Sequence, residues 1–270
     1  MSHDAKEGFI PYSLPRLTPE EMVAQSLAFY HEMDTRRSAR IFSPEPIPLE
    51  AVRQCIDTAC TAPSGAHKQP WTFCLVINPE LRKDIRRAAE EEEFRNYHGR
   101  MSQEWLEDLE QFGTDHIKPF IEDAPALIVV FKQVHDTPEA GGKRANYYVN
   151  ESVGIAVGML LTALHRIGLV ALTHTPSPMG FLAEALKRPA NERAFLNIPI
   201  GYPAEGLTVP DVTRKSRAEV LVEYPYTGCS RPKRLKVSNK CAWSLKRAVN
   251  LRPNSHTEYN PISCLISKKK

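Results

Sequence analysis

The sequence predicts a sheet domain of the α/β or α+β class, and three observations predict it. Segments with helical spacing of apolar residues alternate with short continuous apolar runs, joined by short connections. Of 270 residues, 42% are hydrophobic and 25% charged, a globular balance rather than a disordered, collagen-like or disulfide-scaffold one. The longest uncharged apolar run, residues 152–164, falls short of the about 20 residues that span a membrane. It reads as a buried core helix. The opening residues carry no basic-then-apolar signal segment, so a cytoplasmic protein without a membrane partner is expected.

Taken in order, residues 1–19 read as an irregular arm with Pro11 and Pro15. Thr18, Pro19 and Glu21 make a helix start with a capping box, after which Val23, Leu27 and Tyr30 share one face. Residues 36–42 read as extended, closed by Pro44 and Pro46. A second helix over 48–61 turns Val52, Ile56 and Ala59 to one side. Residues 62–67 form a loop by composition. A buried strand follows at 71–77, then a helix over 79–99 with Leu81, Ile85 and Ala89 at spacing four. Residues 100–123 are polar with scattered aromatics, which suits a surface excursion or lid. A second buried strand covers 126–131. A long apolar helix covers 146–167, with Gly154, Ala156 and Gly158 permitting close approach and Gly168 ending it. A third strand at 169–173, a short helix at 181–186 and a fourth strand at 195–200 complete the body. The expected domain is 20–224.

The net charge of +3 hides an asymmetry. Residues 225–270 hold 11 basic residues and one acidic, whereas residues 1–224 hold 24 basic and 31 acidic. The tail lacks periodicity and reads as a basic, disordered appendage. Nucleic acid is set aside as its partner, because no aromatic–basic alternation or recognisable nucleic-acid fold accompanies the charge. The six cysteines form no CxxC pair, and Cys55, Cys60 and Cys74 read as small buried hydrophobes. His67, His165 and His174 are too scattered for a metal site, and no HExxH, GxSxG or Cys–His arrangement is present. No metal is expected, and hydrolase chemistry is set aside.

Three clusters could carry chemistry. In an extended chain Arg36, Ser38 and Arg40 point to one face, offering two guanidiniums and a hydroxyl to a phosphate monoester. A solvated basic turn is the other reading, and the spacing does not choose. In 63–67, Ser64 and Gly65 offer backbone N–H groups in a compact loop that can approach a ligand. A plain helix-to-strand turn is the stronger reading of that stretch by itself. Glu93 and Tyr97 share a helical face, and with Lys118 they could hold a zwitterionic amino acid. An ordinary charged surface is the simpler account. No GxGxxG or GxxxxGK[ST] appears.

Together these pieces resemble the FMN-dependent nitroreductase superfamily and, within it, the halotyrosine dehalogenase branch, the iodotyrosine deiodinases. The matching stretches are RRSAR at 36–40, TAPSGAHKQPWTF at 61–73, EEEFRNY at 91–97 and IKPFIEDAPALIVVFKQVH at 117–135. They continue with NYYVNESVGIAVGMLLTAL at 146–164, LTHTP at 172–176 and IGYPAEGLTVPDVTRK at 200–215. The resemblance implies an α+β sandwich, a mostly antiparallel sheet flanked by helices, in an interlocked homodimer with one FMN per subunit at the interface. It implies that Arg36, Arg37, Ser38, Ala39, Arg40 and Arg214 hold the phosphate and ribityl chain. Pro63, Ser64 and Gly65 would line the flavin. Thr173, His174 and Thr175 would pass beside the ring, with the Thr175 hydroxyl on N5 as the catalytic contact. The Ala66 backbone would meet the substrate phenolate, and Glu93, Tyr97 and Lys118 would clamp the halotyrosine zwitterion. NAD(P)H or another reductant would supply electrons. The family more usually carries Thr where this chain has His174. The alternative activity is that of a general NAD(P)H-dependent nitroreductase or quinone reductase, which needs the flavin residues alone.

Overall fold

A computed structural model describes residues 8–138 and 141–225. The chain divides into two units, Met1–Val212 and Thr213–Lys270. The expected tail beyond residue 225, its three cysteines and residues 1–7 of the expected arm lie outside the described residues.

From the N-terminus the first unit runs α1 (Pro19–Asp34), α2 (Leu49–Cys60), β1 (Trp71–Val76), α3 (Pro79–Arg95), α4 (Gln103–Glu110), α5 (Phe120–Asp123) and β2 (Ala126–Gln133). It continues with β3 (His135–Asp136), β4 (Arg144–Ala145), α6 (Val149–Arg166), β5 (Val170–Ala171), α7 (Gly180–Ala185) and β6 (Glu192–Gly201). The second unit carries α8 (Arg217–Val220), opened by a Ser216–Glu219 capping box.

The main sheet has the order β1-β2-β6-β5, antiparallel throughout, and β3 and β4 form a separate hairpin. Side-chain alternation along β2 and β6 divides the core into two layers. Ile128, Val130, Ile198 and Ile200 pack with Val52, Val153, Ala156 and Leu160 of α2 and α6. Leu127, Val129 and Phe131 pack on the other face with Ile85 and Ala89 of α3, Phe120 and Ile121 of α5, and Leu182 of α7. The result is the expected α+β sandwich.

Several local expectations change. The strand expected to be buried at 71–77 is only half-buried, because β1 is a sheet edge. The helix expected to reach residue 99 ends at Arg95 and continues as a wide turn, Asn96–Arg100. The helix expected from 146 starts at Val149, since Tyr148 sits in the left-handed region at φ 49°. Of the expected strand 169–173, only Val170–Ala171 pairs with β6 as a strand. Cys55 is buried and Cys74 half-buried, but Cys60 is exposed at the last turn of α2.

The largest departure concerns surfaces. α1 has the capping box its sequence announces, with Thr18 Oγ1 accepting from Glu21 N at 3.2 Å. Yet none of its residues is buried, and Val23 is 68% exposed. Gly154 and Gly158, expected to permit close approach, meet nothing within 4 Å of where a Cβ would stand, apart from the backbone of α6, among the described residues. Between α1, α2 and α6 lies a groove of about 760 Å³, with Phe29, Cys55, Ile155, Gly158 and Met159 in its lining. No helix among the described residues is long and apolar enough to cross a membrane.

Candidate functional site

The segment 36–42 runs along the outer edge of β5. Ser38 bridges Ala171 in parallel, and the buried Ala39 donates its N–H to Ala171 O at 3.2 Å. Ser38 and Arg40 line a cavity of about 540 Å³ with Phe112, Thr114 and Phe120. Arg36 instead borders a narrow crevice beside Arg37, against Val170 and Ala171. The strict alternation expected from residue 36 therefore begins later. Arg36 N still donates to Met33 O at 3.1 Å, so that residue belongs to the last turn leaving α1. Arg37 Nη2 donates to Pro210 O. The Arg40 guanidinium lies 5.7 Å from the Phe112 ring centre, a cation–π contact.

The loop at 63–67 closes as a tight helical turn, Gly65–His67. Ser64 Oγ accepts from Gln69 N at 2.9 Å, and Gly65 N donates to Ser152 Oγ at 3.3 Å. A Cβ at Gly65 would stand 2.8 Å from Tyr147 O, so only glycine fits. Ala66 takes φ 49°, a left-handed conformation that costs a non-glycine residue about 1 kcal/mol or more. Ala66 is exposed.

Glu93 and Lys118 are both buried, at 6% and 3% exposure. This sets aside the charged-surface account for the two residues. Lys118 Nζ stands 3.5 Å from Glu93 Oε2 and donates to Thr114 Oγ1 at 3.0 Å. It also donates to Asp115 O. The Tyr97 ring centre is 5.2 Å from Lys118 Nζ, and its hydroxyl donates to Thr114 O at 3.3 Å. Burial pushes the Glu93 carboxyl above its ordinary range, against the pull of Lys118. Burial also pushes the Lys118 ammonium below its ordinary range, with Glu93 opposing. Thr173 and Thr175 are exposed on either side of His174, whose imidazole turns inward. His174 Nε2 lies 3.9 Å from Glu93 Oε1, and Phe120 packs edge-on against the ring at 5.2 Å. Burial foremost, then Lys118 and Arg40, depresses His174 to about 3, so the imidazole is neutral at ordinary pH.

One chain does not bring all these groups together. The 63–67 turn feeds Trp71, which pairs with Lys132, which pairs in turn with Arg193 at the start of β6. Ser38 bridges Ala171, which pairs with Ile200 at the other end of β6. Seven residues of strand is about 23 Å, and four strand spacings across the sheet add about 19 Å in the perpendicular direction. The 36–40 segment and the 63–66 turn thus occupy opposite corners. Glu93, Tyr97, Lys118, His174 and Arg40 gather at the first corner. Arg214 belongs to the second unit.

Sequence reasoning missed three contributors. Thr114 takes hydrogen bonds from both Tyr97 and Lys118, and Phe112 covers Arg40. Nothing in the spacing of a non-helical loop announces them. Asn197 is fully buried in β6 with both amide atoms unpartnered, and a polar residue inside FLNIPI was its signal. Among the described residues no group of three or more His, Cys, Asp or Glu could hold a metal ion.

A family model described as Nitroreductase family matches residues 33–202. An iodotyrosine deiodinase of Haliscomenobacter hydrossis is 59% identical over 219 residues, which is 81% of this chain and 99% of that protein. Iodotyrosine deiodinase 1 of Homo sapiens is 44% identical over 214 residues, 79% of this chain and 74% of that protein. The crystal structure of an oxidized iodotyrosine deiodinase bound to FMN and 3-iodo-L-tyrosine matches with a TM-score of 0.62 at 31% identity. That match covers 73% of this chain and 99% of the solved one.

Proposed function

The chain belongs to the nitroreductase family, and on that premise we propose that it is an FMN-dependent reductive dehalogenase of halogenated tyrosines, of the iodotyrosine deiodinase kind. The observation that carries this reading is the buried pair of Glu93 and Lys118 beneath Tyr97. A zwitterionic amino acid presents the complementary charges, its ammonium to Glu93 and its carboxylate to Lys118 and the Tyr97 hydroxyl. A general reductase of nitroaromatics or quinones has no use for two buried opposite charges, whose desolvation is costly.

The residues present fit FMN. Three arginines and a serine within 36–40 match a phosphate ester, and two of those side chains open into a cavity. Pro63, Ser64 and Gly65 would line the ring, with Ser64 and Gly65 half-buried in their turn. Exposed Thr173 and Thr175 would flank it, and the Thr175 hydroxyl is the group that would meet N5. When bound and reduced, FMN would supply the two electrons that, with one proton, replace an aryl carbon–halogen bond by carbon–hydrogen and release halide. NAD(P)H or another reductant restores them. The protein's own part is placement. Glu93, Tyr97 and Lys118 orient the ligand, the Ala66 backbone N–H meets its phenolate, and the loop carrying Phe112 and Thr114 excludes water.

A homodimer completes this site. The 63–66 turn of one copy would meet the 36–40 and 173–175 segments of the other, and the groove beside α6 and the uncovered α1 would be covered by the second copy. The flavin domain of this reading spans 20–224, between the N-terminal arm and the basic tail, in a cytoplasmic protein.

The test is iodide release. The FMN-loaded protein, reduced and mixed with iodotyrosine, is expected to yield iodide and tyrosine in equal amounts. No iodide, together with rapid turnover of nitroaromatics, would hand the site to a general reductase. For the phosphate site, Arg36→Ala is expected to weaken FMN binding by about 1–3 kcal/mol, the scale of a charge-assisted hydrogen bond. Quenching of free flavin fluorescence measures it, and unchanged affinity would move the phosphate elsewhere.

A further inference from the structure

His174 lies behind the clamp rather than in it, and its surroundings are unusual. Its backbone exchanges two hydrogen bonds with Asn197, each at 2.9 Å. Bridged antiparallel residues raise their side chains from the same face of the sheet, so imidazole and amide stand side by side. That face is the one where Val129, opposite Asn197 in the register, packs against α3, α5 and α7. Both imidazole nitrogens and both amide atoms of Asn197 are buried without a hydrogen-bond partner. Buried polar groups are seldom left so, because each costs about 1–3 kcal/mol. Facing them is Glu93, and its two carboxylate oxygens are divided. Oε2 looks to Lys118 at 3.5 Å, and Oε1 looks to His174 Nε2 at 3.9 Å.

We propose that His174 is a positioning residue, which with Asn197 behind it holds Glu93 Oε1 from the core side and so turns the carboxylate toward the ligand's α-ammonium. The inference rests on the halotyrosine reading above. A shift of about 1 Å brings Nε2 and Oε1 to hydrogen-bond distance. Nε2–H then donates to Oε1, and Nδ1 accepts from Asn197 Nδ2. Neutrality is essential to this role. An imidazolium here, with Lys118 from the loop before α5 and Arg40 from the extended segment, would give three cations to one carboxylate and compete with the ligand's ammonium. Those same cations, together with burial beside Phe120, keep the ring neutral. Fixing a charged side chain from behind by a neutral one is the logic by which outer partners orient ligating groups.

The experiment compares two ligands on the FMN-loaded protein by flavin fluorescence. One is iodotyrosine, the other its deamino analogue, which keeps the ring and carboxylate and lacks the ammonium. His174→Ala is expected to raise Kd for iodotyrosine about tenfold, one charge-assisted hydrogen bond, and to leave Kd for the deamino analogue and for FMN unchanged. His174→Gln, whose amide N–H can reach Oε1, is expected to recover most of the loss. In a Glu93→Gln background, His174→Ala is expected to add nothing, because the two act as one unit. Equal weakening of both ligands, weakened FMN, or additive losses in the double variant would make His174 merely structural and overturn the proposal. So would unchanged iodotyrosine affinity in His174→Ala. If the unaltered protein fails to bind iodotyrosine, the functional reading falls first, and this inference with it.

Discussion

Replacing Glu93 by Gln is expected to weaken iodotyrosine binding by about 2–5 kcal/mol while leaving FMN affinity in place. The magnitude follows from burial. Removing one member of a buried charge pair costs its direct interaction and also leaves the other member uncompensated. In the proposed clamp the loss is double, because Glu93 faces Lys118 and would also face the ligand's ammonium. The pH profile follows from the same burial. Glu93 holds an ammonium only as a carboxylate, and its pKa stands above the ordinary range. Affinity therefore falls as pH drops through that raised value, at a higher pH than an exposed glutamate would give. Glutamine does not titrate, so the acid limb disappears in the variant. Titration of flavin fluorescence at a series of pH values reads both effects. Equal loss of iodotyrosine and FMN would indicate a misfolded variant rather than a broken clamp.

Gly158→Arg is expected to split the proposed homodimer into single chains and to lower FMN affinity by about 100-fold or more. The substitution suits the single chain. A Cβ at this position meets nothing within 4 Å, and in a helix any side chain but proline improves on glycine by up to about 1 kcal/mol. Its guanidinium, however, would stand in the apolar groove beside Phe29 and Met159, where a second copy would have to desolvate it. Sedimentation and flavin titration are the two measurements, with circular dichroism to establish that the chain still folds. A variant that stays dimeric with full flavin affinity would exclude this face from the interface.

How far the sequence carries the fold differs from element to element. β2 and α6 are legible because continuous burial and helical periodicity leave one reading each. The start of α1 is legible in Thr18, Pro19 and Glu21, since capping is local chemistry. The destination of its apolar face is not, because a pattern states that a face wants cover and not what covers it. Glu93 is instructive. It stands among four consecutive glutamates, and composition makes it one charge of a solvated run. Yet it continues the stripe of Leu81, Ile85 and Ala89 at spacing four, so the periodicity that defined the buried side of α3 also placed a carboxylate at its end. Arg36 failed the other way. The alternation of an extended chain does not yet hold at Arg36, because the last turn of α1 persists past its final apolar residue. The grouping of Glu93 with Lys118 is one of two accounts the residues offer, and no periodicity decides it, since 24 residues that include α4 separate them.

The opposite corners occupied by 36–40 and 63–66 have a consequence for the protein in dilute solution. In the proposed homodimer a flavin that touches both copies would be a crosslink between them, and association and retention would become reciprocal effectors. Whatever factor the flavin adds to the dimer's association constant, the dimer returns to the flavin's. Diluted below that constant, such a dimer would shed its yellow colour without any residue being altered, and surplus flavin would restore it. The amount of active enzyme would then rise more steeply than the amount of chain, so a cell could silence it by making less of it.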